Sequence, residues 1–139
     1  MRSCVMRRCR RESGQSLVEV ALVFPVLLML LLGLLDFGRA FYAVVSLRDA
    51  ADEGAAYASL DPSNTAEIVQ RAVAASPRLV QITEDGVTVH QPAVIAPGQA
   101  ITVTVQAEMM ILTPFVQGLV EGGSLTLEGQ SSHPILMVP

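Results

Sequence analysis

Lysine and tryptophan are absent from this chain, and only two cysteines are present among its 139 residues. Both cysteines, Cys4 and Cys9, lie in the first nine positions, so no disulfide can connect the later parts of the chain to one another. They also lack further ligands at metal-binding spacing, which argues against a structural metal site. Charged residues make up only 16% of the chain, whereas hydrophobic residues make up 51%. The length has room for about one domain.

The basic residues and the apolar residues are unevenly placed. Five of the nine basic residues are arginines within the first eleven positions, and residues 20–35 then contain no charge. When residues 17–19 are added, a helix formed by this run has a length close to the hydrocarbon thickness of a bilayer, about 30 Å. The positive-inside rule keeps such arginines in the cytoplasm. We therefore expect one span of the inner or cytoplasmic membrane, with a cytoplasmic N-terminus and an extracytoplasmic C-terminal domain.

Two kinds of cleaved signal do not fit this N-terminus. The best small-x-small triplet, Ala56-Tyr57-Ala58, lies more than about twenty residues beyond the apolar run, too far for an ordinary secretory signal. No cysteine follows the run, which excludes a lipoprotein signal. An uncleaved signal anchor and cleavage on the cytoplasmic side, before the run, both remain open.

The stretch "GQSLVE", Gly14 to Glu19, follows a basic leader and opens the apolar run. It resembles the processing site of type IV prepilins, in which a prepilin peptidase cuts after the glycine and a glutamate stands fifth in the mature chain. The resemblance implies that Gly14 and Gln15 flank the cleaved bond. It also implies that Glu19 pairs with the N-terminal amine of an adjacent subunit.

The sequence from Gly14 to Ser59 is similar to the TadE-like family, pilin-like proteins of tight-adherence (Flp-type) pilus systems. The residues that carry the likeness are Gly14 to Glu19, Pro25, Asp36 to Arg39 and Ala51 to Ala58. It implies a minor pilin or pseudopilin, a structural component of pilus biogenesis. The implied partners are a prepilin peptidase, other pilin-like subunits and the Tad secretion machinery. Asp52 and Ala56 depart from the pattern, since the family often has arginine at both positions.

Helical periodicity extends beyond the membrane run and predicts one long helix from about Ser16 to Leu60. Its expected buried stripe consists of Phe41, Val44, Leu47, Ala51, Ala55 and Ala58. Gly54 and the alanines Ala50, Ala51, Ala55 and Ala58 would let another backbone approach closely. Arg48 and Asp52 are spaced to pair. Pro62 ends this helix, and Asn64 is a plausible N-cap of a second helix through Ala75.

After Ser76 the period changes to two, which predicts a small antiparallel sheet with one buried face. Strands are expected around Val80–Ile82, Val87–Val89, Ile101–Val105 and Leu125–Leu127. Turns are expected at Asp85-Gly86, Pro97-Gly98 and Gly122-Gly123. The predicted fold class is α+β: a long N-terminal transmembrane and amphipathic helix packed against a small sheet, as in pilins. The expected parts are a basic cytoplasmic leader (1–14), a transmembrane helix (15–35), its amphipathic continuation (36–60) and an extracytoplasmic domain (61–139).

Residues for catalysis, for a metal or for a cofactor are not apparent. His90 and His133 have no Cys or His at ligand spacing, so we expect both to be ordinary surface residues. Acidic pairs such as Asp52-Glu53 are expected to lie on solvated faces. Removal of residues 1–14 would leave four arginines and twelve acidic residues, a net charge of −8, which argues against nucleic acid as a partner. We therefore expect a structural protein rather than an enzyme. The alternative is an uncleaved, single-span envelope protein with an outer protein-interaction domain.

Overall fold

The computed structural model describes residues 9–76, 80–118 and 121–137. Three helices and three strands occur in these ranges: α1 (Cys9–Ala58), α2 (Thr65–Ala74), β1 (Val87–His90), β2 (Ala100–Met110), α3 (Pro114–Gln117) and β3 (Ser124–Pro134). Short 3-10 turns, Glu84–Gly86 and Glu121–Gly123, precede β1 and β3. The architecture is α+β, a long apolar helix with a small antiparallel sheet, as the sequence predicts.

Helix α1 has two different halves. Its first half is exposed, whereas α2 and the sheet pack against its second half. The helix begins at Cys9, earlier than the predicted Ser16, and it continues through Pro25. Proline within a helix loses one backbone hydrogen bond, a loss that membrane helices tolerate. Of the two cysteines, Cys4 lies outside the described residues.

The buried stripe of α1 differs from the predicted one. Phe41 is 65% exposed, so its assignment to the buried face was wrong, and Val44 is only partly buried. The observed stripe consists of Ala43, Ser46, Leu47, Ala50, Ala51, Gly54, Ala55 and Ala58. Phe41 precedes Ala43 by two residues, about 200° around the helix axis. The sheet therefore packs on the face with the smallest side chains, whereas the sequence pattern weighted large apolar residues.

Helix α2 forms as predicted. The side chain of Asn64 accepts a hydrogen bond from the backbone N–H of Glu67 at 3.2 Å, the geometry of an N-cap. Ile68 and Ala72, one turn apart, are fully buried in the core beside α1. On the exposed side, Arg71 Nε lies 3.2 Å from a Glu67 carboxylate oxygen.

The sheet has the strand order β1-β2-β3, and both pairings are antiparallel. The predicted hairpin at Asp85-Gly86 was wrong, because residues 84–86 form a 3-10 turn and residues 80–83 form no strand. Val80 and Ile82 are nevertheless buried in the core. Their alternation therefore reflects burial of every second side chain without strand pairing. At Pro97-Gly98 the predicted turn is present, with Gly98 at a φ of 86°.

Strand β3 crosses α1 at Gly129. A Cβ atom at this position would lie 2.4 Å from the carbonyl carbon of Leu47 and 2.5 Å from the backbone nitrogen of Arg48. Contacts this short with a backbone do not occur in folded proteins, so only glycine allows β3 to lie at its observed distance from α1. Side chains from both layers, among them Leu47, Val103 and Val105, form the core.

We therefore predict that Gly129→Ala destabilises the outer domain, by about 1–3 kcal/mol, because the added methyl overpacks the contact with α1. The measurement is thermal unfolding of the whole chain in detergent micelles, followed by circular dichroism. Gly38→Ala is the matched control, since a Cβ atom at Gly38 meets nothing within 4 Å. In a helix this exchange should stabilise by up to about 1 kcal/mol. An unchanged midpoint for Gly129→Ala would show that β3 can move away from α1 without cost.

Candidate functional site

The first half of α1 is an exposed apolar surface. From residue 14 to residue 35 every position is exposed except Leu32 and Gly33, which are partly exposed. Contiguous apolar surface of this extent marks a membrane or a protein interface. Among the described residues, one helix is long and apolar enough to cross a membrane, and it is this one.

Gly14, Gln15 and Glu19 all lie on α1 and are exposed. Gln15 and Glu19 are four residues apart, so they share one face of the helix. Glu19 lies in a shallow groove formed by α1 alone, together with Ser16, Val20, Val23, Phe24 and Leu27. No ion pair to Glu19 is present within the described part of the chain. The structure thus brings these three residues close to one another along α1 and places none of them against the outer domain.

The four small residues Ala51, Gly54, Ala55 and Ala58 lie together in the core. A Cβ atom at Gly54 would meet the Ala72 Cβ at 3.2 Å and the Val103 Cγ1 at 3.3 Å. Ala72 belongs to α2 and Val103 to β2. Two elements therefore approach α1 at Gly54, not the sheet alone.

Asp36, the first charged residue after the apolar run, joins α1 to the loop after β2. One carboxylate oxygen accepts hydrogen bonds from the Thr113 hydroxyl at 2.6 Å and from the Thr113 N–H at 2.8 Å. The Leu112 N–H lies 3.1 Å from both carboxylate oxygens. Asp36 is only 8% exposed. These bonds fix the end of β2 to the outer end of the apolar run.

The hydrogen bonds also set the charge state of Asp36. The Thr113 hydroxyl, more than any other group, holds the pKa of this carboxyl below its ordinary value, although burial acts in the opposite direction. The backbone N–H groups of Leu112 and Thr113 lower this pKa further, as does the positive charge of Arg39. Arg39 Nη1 lies 3.5 Å from a carboxylate oxygen of Asp36. Asp36 is therefore ionised at neutral pH.

Asp36 is one of the residues that carry the family likeness, but the sequence does not predict its contact with Thr113. The two residues are separated by 77 positions, and no periodicity connects them. The available signal was the position of Asp36, where a carboxylate directly follows sixteen uncharged residues.

The predicted Arg48–Asp52 pair was wrong. Asp52 Oδ1 accepts a hydrogen bond from Ser131 Oγ at 2.8 Å, and the same oxygen lies 2.8 Å from His133 Nε2. His133 is consequently a contact between β3 and α1, not the ordinary surface residue that the sequence predicted. The bond with His133, followed by the bond with Ser131, lowers the pKa of the Asp52 carboxyl. Within the ranges that the structure describes, no three His, Cys, Asp or Glu residues are grouped so that they could hold a metal ion.

We predict that Asp36→Asn lowers the thermal midpoint of the chain in detergent at neutral pH. Asparagine offers one acceptor oxygen where three donors converge, and its NH2 group would face N–H donors. The folded pKa of Asp36 lies below its unfolded value of about 3.9, so the stabilisation is present above about pH 4. It is lost as the pH falls through the lower, folded pKa. The difference between parent and variant should therefore shrink on acidification.

Asp49→Asn is the matched control for this experiment. Asp49 lies on the same helix, is exposed, and forms no side-chain hydrogen bond or ion pair among the described residues. Its substitution should leave the midpoint and its pH dependence almost unchanged. If Asp36→Asn and Asp49→Asn behave alike at every pH, Asp36 contributes nothing to the attachment of the loop.

Part of the chain is similar to a known protein family. The model of the TadE-like protein family matches residues 14–56. No curated protein and no solved structure matches the chain significantly. The matched segment begins at Gly14 and ends two residues before α1 ends, so it covers the apolar surface, Glu19, Asp36 and most of the buried stripe. Through this long N-terminal helix the chain is similar to the TadE-like family, and the same helix is long and apolar enough to cross a membrane.

Proposed function

We propose that this protein is a minor pilin or pseudopilin, a structural component of tight-adherence pilus biogenesis. A prepilin peptidase cuts it after Gly14, and the mature chain assembles with other pilin-like subunits and the Tad secretion machinery through α1. The protein performs no catalysis in this role. The observation that carries the proposal is the exposed, charge-free surface of α1, which begins directly after Glu19 within the TadE-like match.

The proposed topology follows from the charge distribution. Residues 1–14, with five arginines, form the cytoplasmic leader, and residues 15–35 span the membrane. Residues 36–60 continue the helix outside, and residues 61–139 form the extracytoplasmic domain. The end of the apolar run at Asp36 supports this division, because Asp36 is also where the outer domain is attached to α1.

Glu19 has a specific task in this proposal. A carboxylate at the centre of a bilayer costs about 2.5–3.5 kcal/mol on insertion scales, and less near a helix end. Cleavage after Gly14 creates a positive amine on Gln15. Pairing of Glu19 with the Gln15 amine of an adjacent subunit neutralises both charges in an apolar bundle, whereas one unpaired buried charge is strongly unfavourable. Cyclisation of Gln15 would remove the amine's charge, so the pairing requires that the amine persists.

The continuous helix favours a second candidate. Because α1 begins at Cys9, Gly14 lies in helical backbone, and a peptidase must unwind the first turns before it can cut. An uncleaved single-span envelope protein, with an outer domain that binds another membrane component, needs no such step. The N-terminal residue of the membrane-extracted protein separates the two candidates.

Expression with a prepilin peptidase should yield a mature chain that starts at Gln15, and Gly14→Val should abolish this processing. A Cβ atom at Gly14 meets nothing within 4 Å, so the substitution disturbs no packing and acts on the cleavage step. Gly33→Val is the matched control, with equally open surroundings on the same helix, and it should be processed normally. N-terminal sequencing reads out both variants. Intact peptides from Met1 or Arg2 in the steady-state membrane protein would favour the uncleaved alternative.

Glu19→Val should be inserted and cleaved but should not associate with pilin-like partners, and Glu19→Gln should behave in the same way because it also lacks the charge. Val20→Leu changes a neighbouring residue of the same groove without altering charge, and it should associate like the parent. Cross-linking and co-purification from membranes measure the association. Co-assembly of Glu19→Val at the parent level would reduce Glu19 to an interfacial residue and disprove the pairing.

A further inference from the structure

The segment 109–118, which we call the foot, comprises the end of β2, the following loop and α3, and it exposes apolar side chains. Residues 109–120 contain no charged residue, although Glu108 and Glu121 flank them. Met110 is 76% exposed and Leu112 is 54% exposed. Ile111 and Thr113, between and after them, are buried. Side chains of the foot therefore alternate, with Ile111 and Thr113 packed in the protein and Met110 and Leu112 largely exposed.

The attachment to Asp36 fixes the level of the foot relative to the apolar run of α1. Leu112 N lies 3.1 Å from the Asp36 carboxylate, and Thr113 donates two bonds to it. In the proposed topology the span, residues 15–35, is about 30 Å long, which is the thickness of the hydrocarbon layer, so Asp36 is placed at the outer boundary of that layer. Leu112 and Met110 consequently lie at the same boundary, not out in the aqueous phase.

Neighbouring groups at this level suit a lipid surface. Phe37 is exposed next to Asp36, and Arg39 Nη1 lies 3.5 Å from the backbone oxygen of Met110. An arginine at this depth can extend its guanidinium to lipid phosphates. A cavity of about 420 Å³ with largely apolar walls lies between α1 and the sheet, lined in part by Leu34, Leu35 and Met109. Leu34 and Leu35 of the span thus share one cavity with Met109 of the foot, and the charged residues Arg39 and Glu108 lie at the same cavity.

We propose that the foot rests on the outer leaflet of the bilayer, with Met110 and Leu112 inserted at the interface between head groups and acyl chains. The outer domain then has two membrane contacts, the span and the foot. A lipid surface is the occupant because the foot is continuous with the surface of α1 that already faces lipid. The proposal rests on the membrane-spanning part of the proposed function, but it does not require cleavage or assembly. Interfacial contacts of this kind gain affinity from the apolar area that they bury.

The absence of tryptophan makes a direct test available. A single tryptophan at Leu112 or at Met110 reports its own surroundings, because the parent chain contributes no tryptophan fluorescence. The whole chain is reconstituted in phosphatidylcholine vesicles with and without lipids brominated on the acyl chains. We expect blue-shifted emission and quenching by the brominated lipid for Leu112→Trp and Met110→Trp.

Two control positions make each outcome decisive. Val94 is 69% exposed in the β1–β2 loop, at the opposite end of the sheet, and Val94→Trp should be neither blue-shifted nor quenched. Leu28→Trp lies within the apolar run and should be quenched if α1 spans the bilayer. Quenching of Leu28→Trp without quenching of Leu112→Trp and Met110→Trp would disprove the membrane contact of the foot, while still supporting the membrane span. A blue shift that bromolipid does not quench, and that disappears when the protein is diluted in lipid, would assign the foot to contact with a second copy and would also overturn the proposal.

Discussion

A helix can support a sheet directly on its backbone only where its side chains are small, and the outer half of α1 meets this condition from Ala50 to Ala58. Just before this stretch, at Leu47 and Arg48, Gly129 gives β3 a similarly close approach, since a Cβ atom there would lie 2.5 Å from the Arg48 nitrogen. Gly54 gives the same access to α2 and β2. The small outer domain has little apolar area of its own to bury, so this close apposition supplies much of its core. Loss of contact with α1 would leave the sheet with one uncovered apolar face.

Asp36 sets where along α1 this apposition begins. The carboxylate lies at the end of the exposed apolar surface of α1 and receives three hydrogen-bond donors from the loop after β2. Because the bonds are made to an ionised group, they are stronger than bonds between neutral partners. At the other end of the sheet, the Leu136 N–H donates to the Ser59 oxygen at 2.8 Å. The sheet is therefore attached near both ends of the second half of α1.

Local signals predicted the elements of this fold well. The apolar run, the N-cap at Asn64 and the alternation around Ile101–Val105 each depend on residues close in sequence, and each identified its element. The errors have one cause. Phe41, Asp85-Gly86 and Arg48–Asp52 were judged from propensity or spacing, whereas the three-dimensional neighbours of these residues decide their state. Asp52, for example, finds Ser131 and His133 across 79 and 81 positions of sequence.

The candidate site divides in the same way. Gly14, Gln15 and Glu19 are recognisable because a motif places them within six residues of one another, at the start of the apolar run. The Asp36–Thr113 contact and the foot could not be predicted, because they depend on which end of β2 meets the end of the apolar run of α1. The contact between this end of β2 and Asp36 follows from the direction in which β2 runs along α1. The alternating sequence pattern of a strand does not encode that direction.

The alignment of the strands with α1 has a mechanical consequence. Residues 36–58 of α1 extend about 35 Å, and an eleven-residue strand extends about 36 Å, so β2 and β3 match the length of the helix that supports them. The chain after β2 is bonded to Asp36, and the chain after β3 is bonded to Ser59. These two attachments, at opposite ends of the sheet, direct both strands along the helix axis. Antiparallel hydrogen bonds run perpendicular to the strands, so tension along this axis loads the β2–β3 ladder in shear. Eleven residue pairs would resist such a pull together, whereas a sheet hung from one end would peel apart pair by pair.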